Sequence, residues 1–429
     1  MEKLVYETYD EVVYSKVLEN GLNVRILPKK GFHKTYALFS TNYGSIDNDF
    51  YPLNADEAIT VPDGIAHFLE HKLFEKEDGD VFQVFGQQGA SANAYTSFTT
   101  TAYLFSATQE VEKNLKTLID FVQEPYFTEE TVEKEKGIIA QEIQMYDDDP
   151  DWRLFFGLQE NLFPEHPVSI DIAGTVQTIQ DITADHLYTC YDTFYHPSNM
   201  ALSIVGNIEP EEIMKLIEEN QAAKTFESSC EIKRVEAEED LNKIIPRRSI
   251  EMAVQRPKIT LGIRGHQPHF NDVRDFKRAN TLNLLLRLIF GSTSQTYLDL
   301  YDEGVIDDSF GYSVNYDRGY DYISLSVDNK EVEKTLAALR EVLLNAAESP
   351  ELNQENFALV KKRMIGQNLI SLNSVEYLAR QLYYPQYKDK NIFDLLPLIE
   401  EITLEDVKKI AEEYIIDDYL SEFVILPKE

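Results

Sequence analysis

Five consecutive residues, His67-Phe68-Leu69-Glu70-His71, carry side chains that can do chemistry together. On a helix, His67 and His71 stand at i and i+4, one turn apart on one face, so their imidazoles can share a metal ion. Glu70 neighbours the second histidine, where a carboxylate can take a proton from a metal-activated water. The order H-x-x-E-H inverts the H-E-x-x-H zinc pattern and belongs to the inverted zincin class. It points to a metal-dependent hydrolase, first of all a peptidase. The competing reading of the pentad alone is a surface helix with two satisfied histidines.

The elements that must position these residues are legible around them. Asp63 is expected to cap a helix over residues 63–74, with Ile65, Ala66, Phe68 and Leu69 as its apolar surface. Catalytic zinc takes three protein ligands and keeps one position open for water, so a third ligand must come from another element. Residues 129–146 read as a helix with Val132, Ile139 and Ile143 as its stripe. On it Glu135 and Glu142, two turns apart, point the same way. One can ligate while the other orients a ligand or the substrate; solvated glutamates on an acidic helix are the alternative. Further helices are expected over 109–123 and 184–195. Strands are expected at 22–27, 36–40 and 201–205. Helices and strands mix without strict alternation, which predicts an α+β fold with mainly antiparallel sheets.

Composition narrows the function classes. A chain of 429 residues implies two or more domains, and 43% hydrophobic residues can fill their cores. A net charge of −35 excludes a nucleic-acid partner, because phosphates are repelled. No run of 18 apolar residues is present, so no membrane span is expected. The start, Met1 to Glu7, has no apolar signal region, and Cys190 and Cys230 make no disulfide framework. Both features lead to the expectation of a cytoplasmic protein. Cys190 reads as a core residue. The run Asp147-Asp148-Asp149-Pro150-Asp151 lacks the spacing of a calcium loop and reads as a solvated turn before a helix.

The chain also repeats itself. Glu110-Val111-Glu112-Lys113-Asn114-Leu115 returns as Glu331-Val332-Glu333-Lys334-Thr335-Leu336, an offset of 221. A strand-like run precedes each copy and a long helix follows. In the second half Gln367 falls near the place of Glu142, and the counterpart of the histidine helix, around Arg278 to Phe290, has no histidine. The expected domains are an N-terminal metal-bearing one over 1–226, a polar linker over 227–246, and a C-terminal duplicate over 247–429 without metal ligands.

At this point the sequence resembles the pitrilysin/insulinase family of zinc metallopeptidases, which includes the mitochondrial processing peptidase group. The resemblance rests on His67, Glu70 and His71, followed 71 residues after His71 by Glu142, with Glu135 seven residues before it. Gly89 to Thr96 resembles the strand on which substrates of that family dock. Tyr195-His196-Pro197-Ser198-Asn199-Met200, with Val205-Gly206-Asn207, resembles another family element.

The resemblance implies one Zn2+ per chain held by His67, His71 and Glu142, with Glu70 as general base. It further implies Glu135 in support, and Ala92, Asn93 and Ala94 along the substrate strand. Two homologous domains would face each other as half a clamshell, and two chains would close a chamber around a peptide substrate. The resemblance also implies an arginine and a tyrosine from the second repeat at the oxyanion. Here Tyr301 stands in the arginine's place, Tyr312 matches the tyrosine as a catalytic candidate, and Arg318 is nearby but out of register. This departure leads to the expectation that a homo- or heterodimer with a family sister subunit supplies what is missing. A zinc endopeptidase, a processing enzyme for one precursor peptide and a non-catalytic or partner-dependent interaction subunit are the three readings the sequence supports.

Overall fold

Strands whose side chains alternate between two apolar faces build the first sheet. The computed structural model describes residues 1–228, 231–237, 240–387 and 390–428; Cys230 lies outside them. Strands β1 (Glu2–Tyr6), β2 (Glu11–Val17), β3 (Asn23–Pro28), β4 (Thr35–Thr41), β5 (Ala90–Thr96), β6 (Thr101–Ala107) and β7 (Met200–Gly206) lie in the order β1-β2-β3-β7-β4-β6-β5. Only β3 and β7 run parallel. Ala37, Phe39, Tyr103 and Phe105 enter one core, while Tyr36, Leu38, Ala102 and Leu104 enter another. That is the two-residue period of a strand, with both faces apolar and therefore both in need of cover.

Helices α1 (Ile65–Leu73), α2 (Val81–Gln87), α3 (Val111–Gln123), α4 (Glu129–Asp147), α6 (Ala184–Phe194) and α7 (Pro210–Ala222) all contribute to the first of these cores. Cys190 is fully buried there, and burial pushes its thiol up to about 12, so it is a core residue rather than a reactive one. Helix α5 (Pro150–Leu162) goes elsewhere. Asp149 caps it, accepting from the N–H groups of Asp151 and Trp152 at 2.8 and 3.3 Å, with Pro150 in the first turn. The acidic run thus serves as a helix start.

The second sheet repeats the first in smaller form. Strands β8 (Arg247–Met252), β9 (Lys258–Arg264), β10 (Gly311–Asp317), β11 (Tyr320–Asp328) and β12 (Leu420–Pro427) lie in the order β8-β12-β9-β11-β10. Its one parallel pair, β8 with β12, occupies the place of β3 with β7. Strands β5 and β10 are both edges, and Ala90 and Gly311, their first residues, are 221 apart, the offset of the sequence repeat. Helices α8 (Val273–Phe290), α9 (Gln295–Asp302), α10 (Val332–Leu344), α11 (Gln354–Ser371), α12 (Val375–Arg380), α13 (Ile392–Glu401) and α14 (Leu404–Tyr414) complete this half. The fold is α+β with antiparallel-rich sheets. No helix among the described residues is long and apolar enough to cross a membrane.

The halves exchange helices across the segment 227–246. Helix α5 packs on β12 and β9 of the second sheet, and α12 packs on β7 and β4 of the first. The approach of α5 is close: a Cβ on Gly157 would stand 2.2 Å from the ring of Phe423. One core joins Leu38, Leu104 and Val205 of the first sheet to Leu261, Ile323 and Leu378 of the second half.

A buried carboxylate ties the halves as well. The side chain of Asp47 is 1% exposed. It accepts from Arg234 Nε at 2.8 Å, from Arg318 Nη2 at 2.9 Å to each oxygen, and from the Gly44 N–H at 3.0 Å. Arg318 belongs to the β10–β11 turn and Arg234 to the connecting segment, so one carboxylate holds three parts of the chain. Asp47→Ala leaves two guanidinium groups without their counter-charge and is expected to cost about 3 kcal/mol of stability, read by denaturant unfolding.

Candidate metal centre

Helix α1 begins differently from the sequence expectation. Asp63 does not cap it: its carboxylate accepts from Asn48 Nδ2 at 2.6 Å, and the cap position is Gly64 at φ +89°, with no side-chain cap. The reason is a close backbone approach. A Cβ on Gly64 would lie 2.3 Å from the carbonyl oxygen of Ala173, and one on Gly174, also at positive φ, 2.5 Å from that of Asp63. Only glycine fits both the left-handed backbone and the contact. The pair sets the first turn of α1 against the 171–174 loop.

Apolar packing fixes the rest. Ile65, Ala66, Phe68, Leu69 and Leu73 of α1 are buried, as are Val132, Ile139 and Ile143 of α4. With these stripes in one core, the polar flanks of the two helices must meet. There His67 Nε2 lies 3.8 Å from Glu142 Oε1, and His71 Nε2 lies 3.6 Å from Glu142 Oε2. The three ligand atoms all lie within 4.8 Å of one another. In a tetrahedral site with bonds of about 2.0–2.1 Å, ligand atoms stand about 3.3 Å apart. These residues therefore fit a metal ion with small side-chain adjustments, and two imidazoles with a carboxylate are a zinc-type donor set.

Glu135 completes the arrangement from behind. Its Oε1 is 3.1 Å from His71 Nδ1. A carboxylate only accepts, so His71 carries its proton on Nδ1 and turns the Nε2 lone pair towards Glu142. The two histidines differ in protonation. Burial, with the charge of His71 adding to it, pulls His67 down to about 3, so it stays neutral. Burial also lowers His71, but the hydrogen bond to Glu135 and the carboxylates Glu70, Glu142 and Glu135 outweigh it and leave its pKa raised.

Glu70 is 9% exposed. Burial raises its pKa; the hydrogen bond from Thr96 and the charge of His71 oppose this, and the charge of Glu142 adds to it. Thr96 Oγ1 donates to Glu70 Oε2 at 2.5 Å. Thr96 ends β5, the free edge of the first sheet, whose Ala92 and Ala94 lean on the α1 core while Asn93 is exposed. The Ala94 N–H donates to Asn93 Oδ1 at 2.9 Å. A cleft of about 250 Å³ opens between these groups and is also lined by Tyr146, Trp152 and Asp171. Tyr146 and Trp152 stack with ring centroids 4.6 Å apart, and the Trp152 indole donates to Asp171.

The structure brings His67, Glu70, His71, Glu135 and Glu142 together, with Ala94 on the cleft wall beside Thr96. It does not bring Tyr312 there. Tyr312 sits on β10 against Phe290 and Phe310, and no hydrogen bond or ring contact joins it to the cluster among the described residues. Tyr301, in the arginine's place, is 44% exposed and stacks on Tyr297. Arg318 is engaged with Asp47. Sequence reasoning placed Thr96 on the substrate strand without its bond to Glu70, and it passed over Tyr146, Trp152 and Asp171. An aromatic on a helix reads as core, so only Trp152's being the sole tryptophan marked it.

With this geometry in hand, the chain can be set beside known proteins. Residues 60–176 match the model of the insulinase family, peptidase family M16, and residues 181–364 match that of the peptidase M16 inactive domain. YmfH of Bacillus subtilis (strain 168), named an uncharacterized zinc protease, is 50% identical over 428 residues, 100% of both chains. The chain belongs to the insulinase family of peptidases. A crystal structure described as an M16-like peptidase from Alicyclobacillus acidocaldarius has a TM-score of 0.93 at 37% identity, covering 97% of this chain and 99% of that one. The periplasmic protease PqqL from Escherichia coli shares the fold at TM-score 0.70 and 19% identity, with this chain matching 48% of its length.

Two outcomes follow for metal binding. Glu135→Ala is expected to weaken zinc affinity roughly 10–100-fold, measured by competition with a chelating dye, because His71 loses the acceptor that orients it. Metal binding requires His71 to give up its second proton. Its raised pKa places that competition above the ordinary 6.5. Bound zinc is therefore expected to fall as pH drops through that range, while His67 contributes no loss until far lower pH.

Proposed function

We propose that this chain is a zinc-dependent endopeptidase, with His67, His71 and Glu142 as metal ligands and Glu70 as the general base. The observation that carries the reading is the short hydrogen bond from Thr96 to Glu70, which couples the metal cluster to a free strand edge. A peptide lying along β5 would bring a scissile bond to the one buried carboxylate beside both histidines.

When bound, the ion supplies Lewis acidity and draws the pKa of a water in its open position towards neutrality. The chain's own groups do the rest. An extended peptide adds to β5 as a further strand, pairing its main chain with that of Ala92 and Ala94. Asn93, which now accepts from the Ala94 N–H, is exposed and free to turn to the substrate backbone. Glu70 takes the proton of the attacking water and returns it to the leaving amine nitrogen. Its raised pKa suits both halves of that transfer. Thr96 holds one of its oxygens so that the other faces the cleft, and Glu135 keeps His71 in register.

The oxyanion needs a donor beyond the metal; of the donors lining the cleft, the Trp152 indole is given to Asp171 and the Tyr146 phenol to Glu142. Tyr312 stands on β10, and Tyr301 occupies the arginine's position. We therefore infer that a second chain of this fold, a further copy or a sister subunit, completes the chamber. Cleavage per chain should then rise with protein concentration or on adding the sister subunit; a rate independent of both would remove that part of the reading.

The direct test is Glu70→Gln. The variant is expected to retain about one zinc per chain, as a three-ligand site predicts, and to lose roughly 10²–10⁴-fold in kcat on a fluorogenic peptide. Equal cleavage by both proteins would overturn the assignment of the base. A folded wild type that holds no zinc would overturn the peptidase reading and favour an interaction subunit.

A further inference from the structure

The second half repeats the helix pair and edge strand that build the metal centre, but fills them with different chemistry. Helix α8 packs on α11 and β10 as α1 packs on α4 and β5. Where the ligand-bearing faces would meet, Arg287 Nη1 of α8 donates to Gln367 Oε1 of α11 at 2.9 Å. Arg363 stands one turn before Gln367 on the same helix face. Both guanidinium groups are near enough to Tyr312 of β10 for their charge to act on its phenol.

Three elements thus converge on two guanidinium groups, an amide and a phenol. Neither arginine has a carboxylate partner among the described residues, although the chain holds 75 acidic residues. Arg287 Nε is buried with no hydrogen-bond partner. Desolvated donors left in this state are costly unless something accepts from them. Arg363 and Gln367 are exposed, so the patch is open to a ligand.

We propose that this patch is an anion subsite that takes a peptide carboxylate, either the C-terminal carboxylate or the side chain of Asp or Glu. The proposal rests on the peptidase reading for the identity of the ligand. A guanidinium fork matches a carboxylate in shape and charge, and the amide and phenol add neutral donors around it. The overall charge of −35 does not forbid this, because repulsion from distant surface charges is screened beyond about 8–10 Å at moderate salt while contact with a guanidinium is not. The subsite would hold the substrate without touching the reacting atoms, and so would act on KM rather than kcat.

The test uses the full chain carrying Glu70→Gln, so that peptide binds without being cut. One labelled peptide sequence is titrated in three forms: free C-terminal carboxylate, C-terminal amide, and C-terminal amide with one internal Glu. At low salt, one or both carboxylate-bearing forms are expected to bind roughly fivefold tighter than the neutral amide, with the preference shrinking as salt rises. Which form gains assigns the source of the carboxylate. Adding Arg363→Gln or Arg287→Gln should abolish the preference while leaving the amide's affinity unchanged. Arg363 is exposed, so its variant keeps the fold, as a melting curve would show. In the otherwise wild-type chain the same changes should raise KM for the carboxylate peptide and leave kcat unmoved. Equal binding of all three forms, or a preference that survives Arg363→Gln, overturns the subsite. If the wild type cleaves peptides but shows no carboxylate preference, the subsite alone fails. If it neither cleaves nor binds any form, the peptidase reading fails and the subsite with it.

Discussion

Three candidate ligand atoms, on His67, His71 and Glu142, lie within 4.8 Å of one another, and the packing of two helices in the first half is what brings them there. Spacing along α1 supplies two of them at no cost, since i and i+4 share a face. The third depends on how α4 lies across α1, which apolar stripes decide. The charge of the site is the harder problem. Glu70, Glu135 and Glu142 are gathered around His67 and His71 with little water to screen them. The raised pKa of His71 is the response of the protein groups alone to that crowding, whereas Glu70 is raised first of all by burial. A divalent cation would answer the crowding more fully, because it would lie among all three candidate ligand atoms at once.

The cleft is not the property of the first half alone. It is lined by Trp152, which lies on α5, and α5 is packed on the second sheet with Gly157 against Phe423. The wall beside the metal ligands is therefore held by the C-terminal half, while α12 of that half lies on the first sheet. Asp47 adds an electrostatic tie at the β10–β11 turn.

Local features of this architecture were legible in the sequence and long-range ones were not. The i, i+4 histidines and the seven-residue spacing of Glu135 and Glu142 follow from helix geometry, and the short apolar run Tyr36 to Phe39 marks a strand, although it is apolar on both faces rather than alternating. That Glu142 rather than Glu135 faces both imidazoles does not follow from spacing, since the two share a face; the approach of α4 decides it. Asp63 failed as a cap because a tertiary contact, Gly64 against Gly174, overrode a local preference. The exchange of α5 and α12 was invisible because an apolar stripe states that a helix needs a sheet, not which sheet. Arg318 illustrates the same limit: it was noted for chemistry near Tyr312, and it is engaged with a carboxylate 271 positions away.

The two halves show what a duplicated scaffold keeps when its chemistry changes. Both retain an edge strand, a helix pair packed on it and a polar contact where the helices meet. In the first half that contact is built from imidazole and carboxylate, which together demand a cation. In the second it is built from guanidinium and amide, Arg287 donating to Gln367. Substitution of ligands alone would have left a neutral, apolar seam, the least costly outcome for packing. Arginine at this seam instead carries a desolvation cost that packing does not require, with Arg287 Nε buried and unpartnered. The polar contact of the second half thus differs from that of the first in the sign of the charge it gathers.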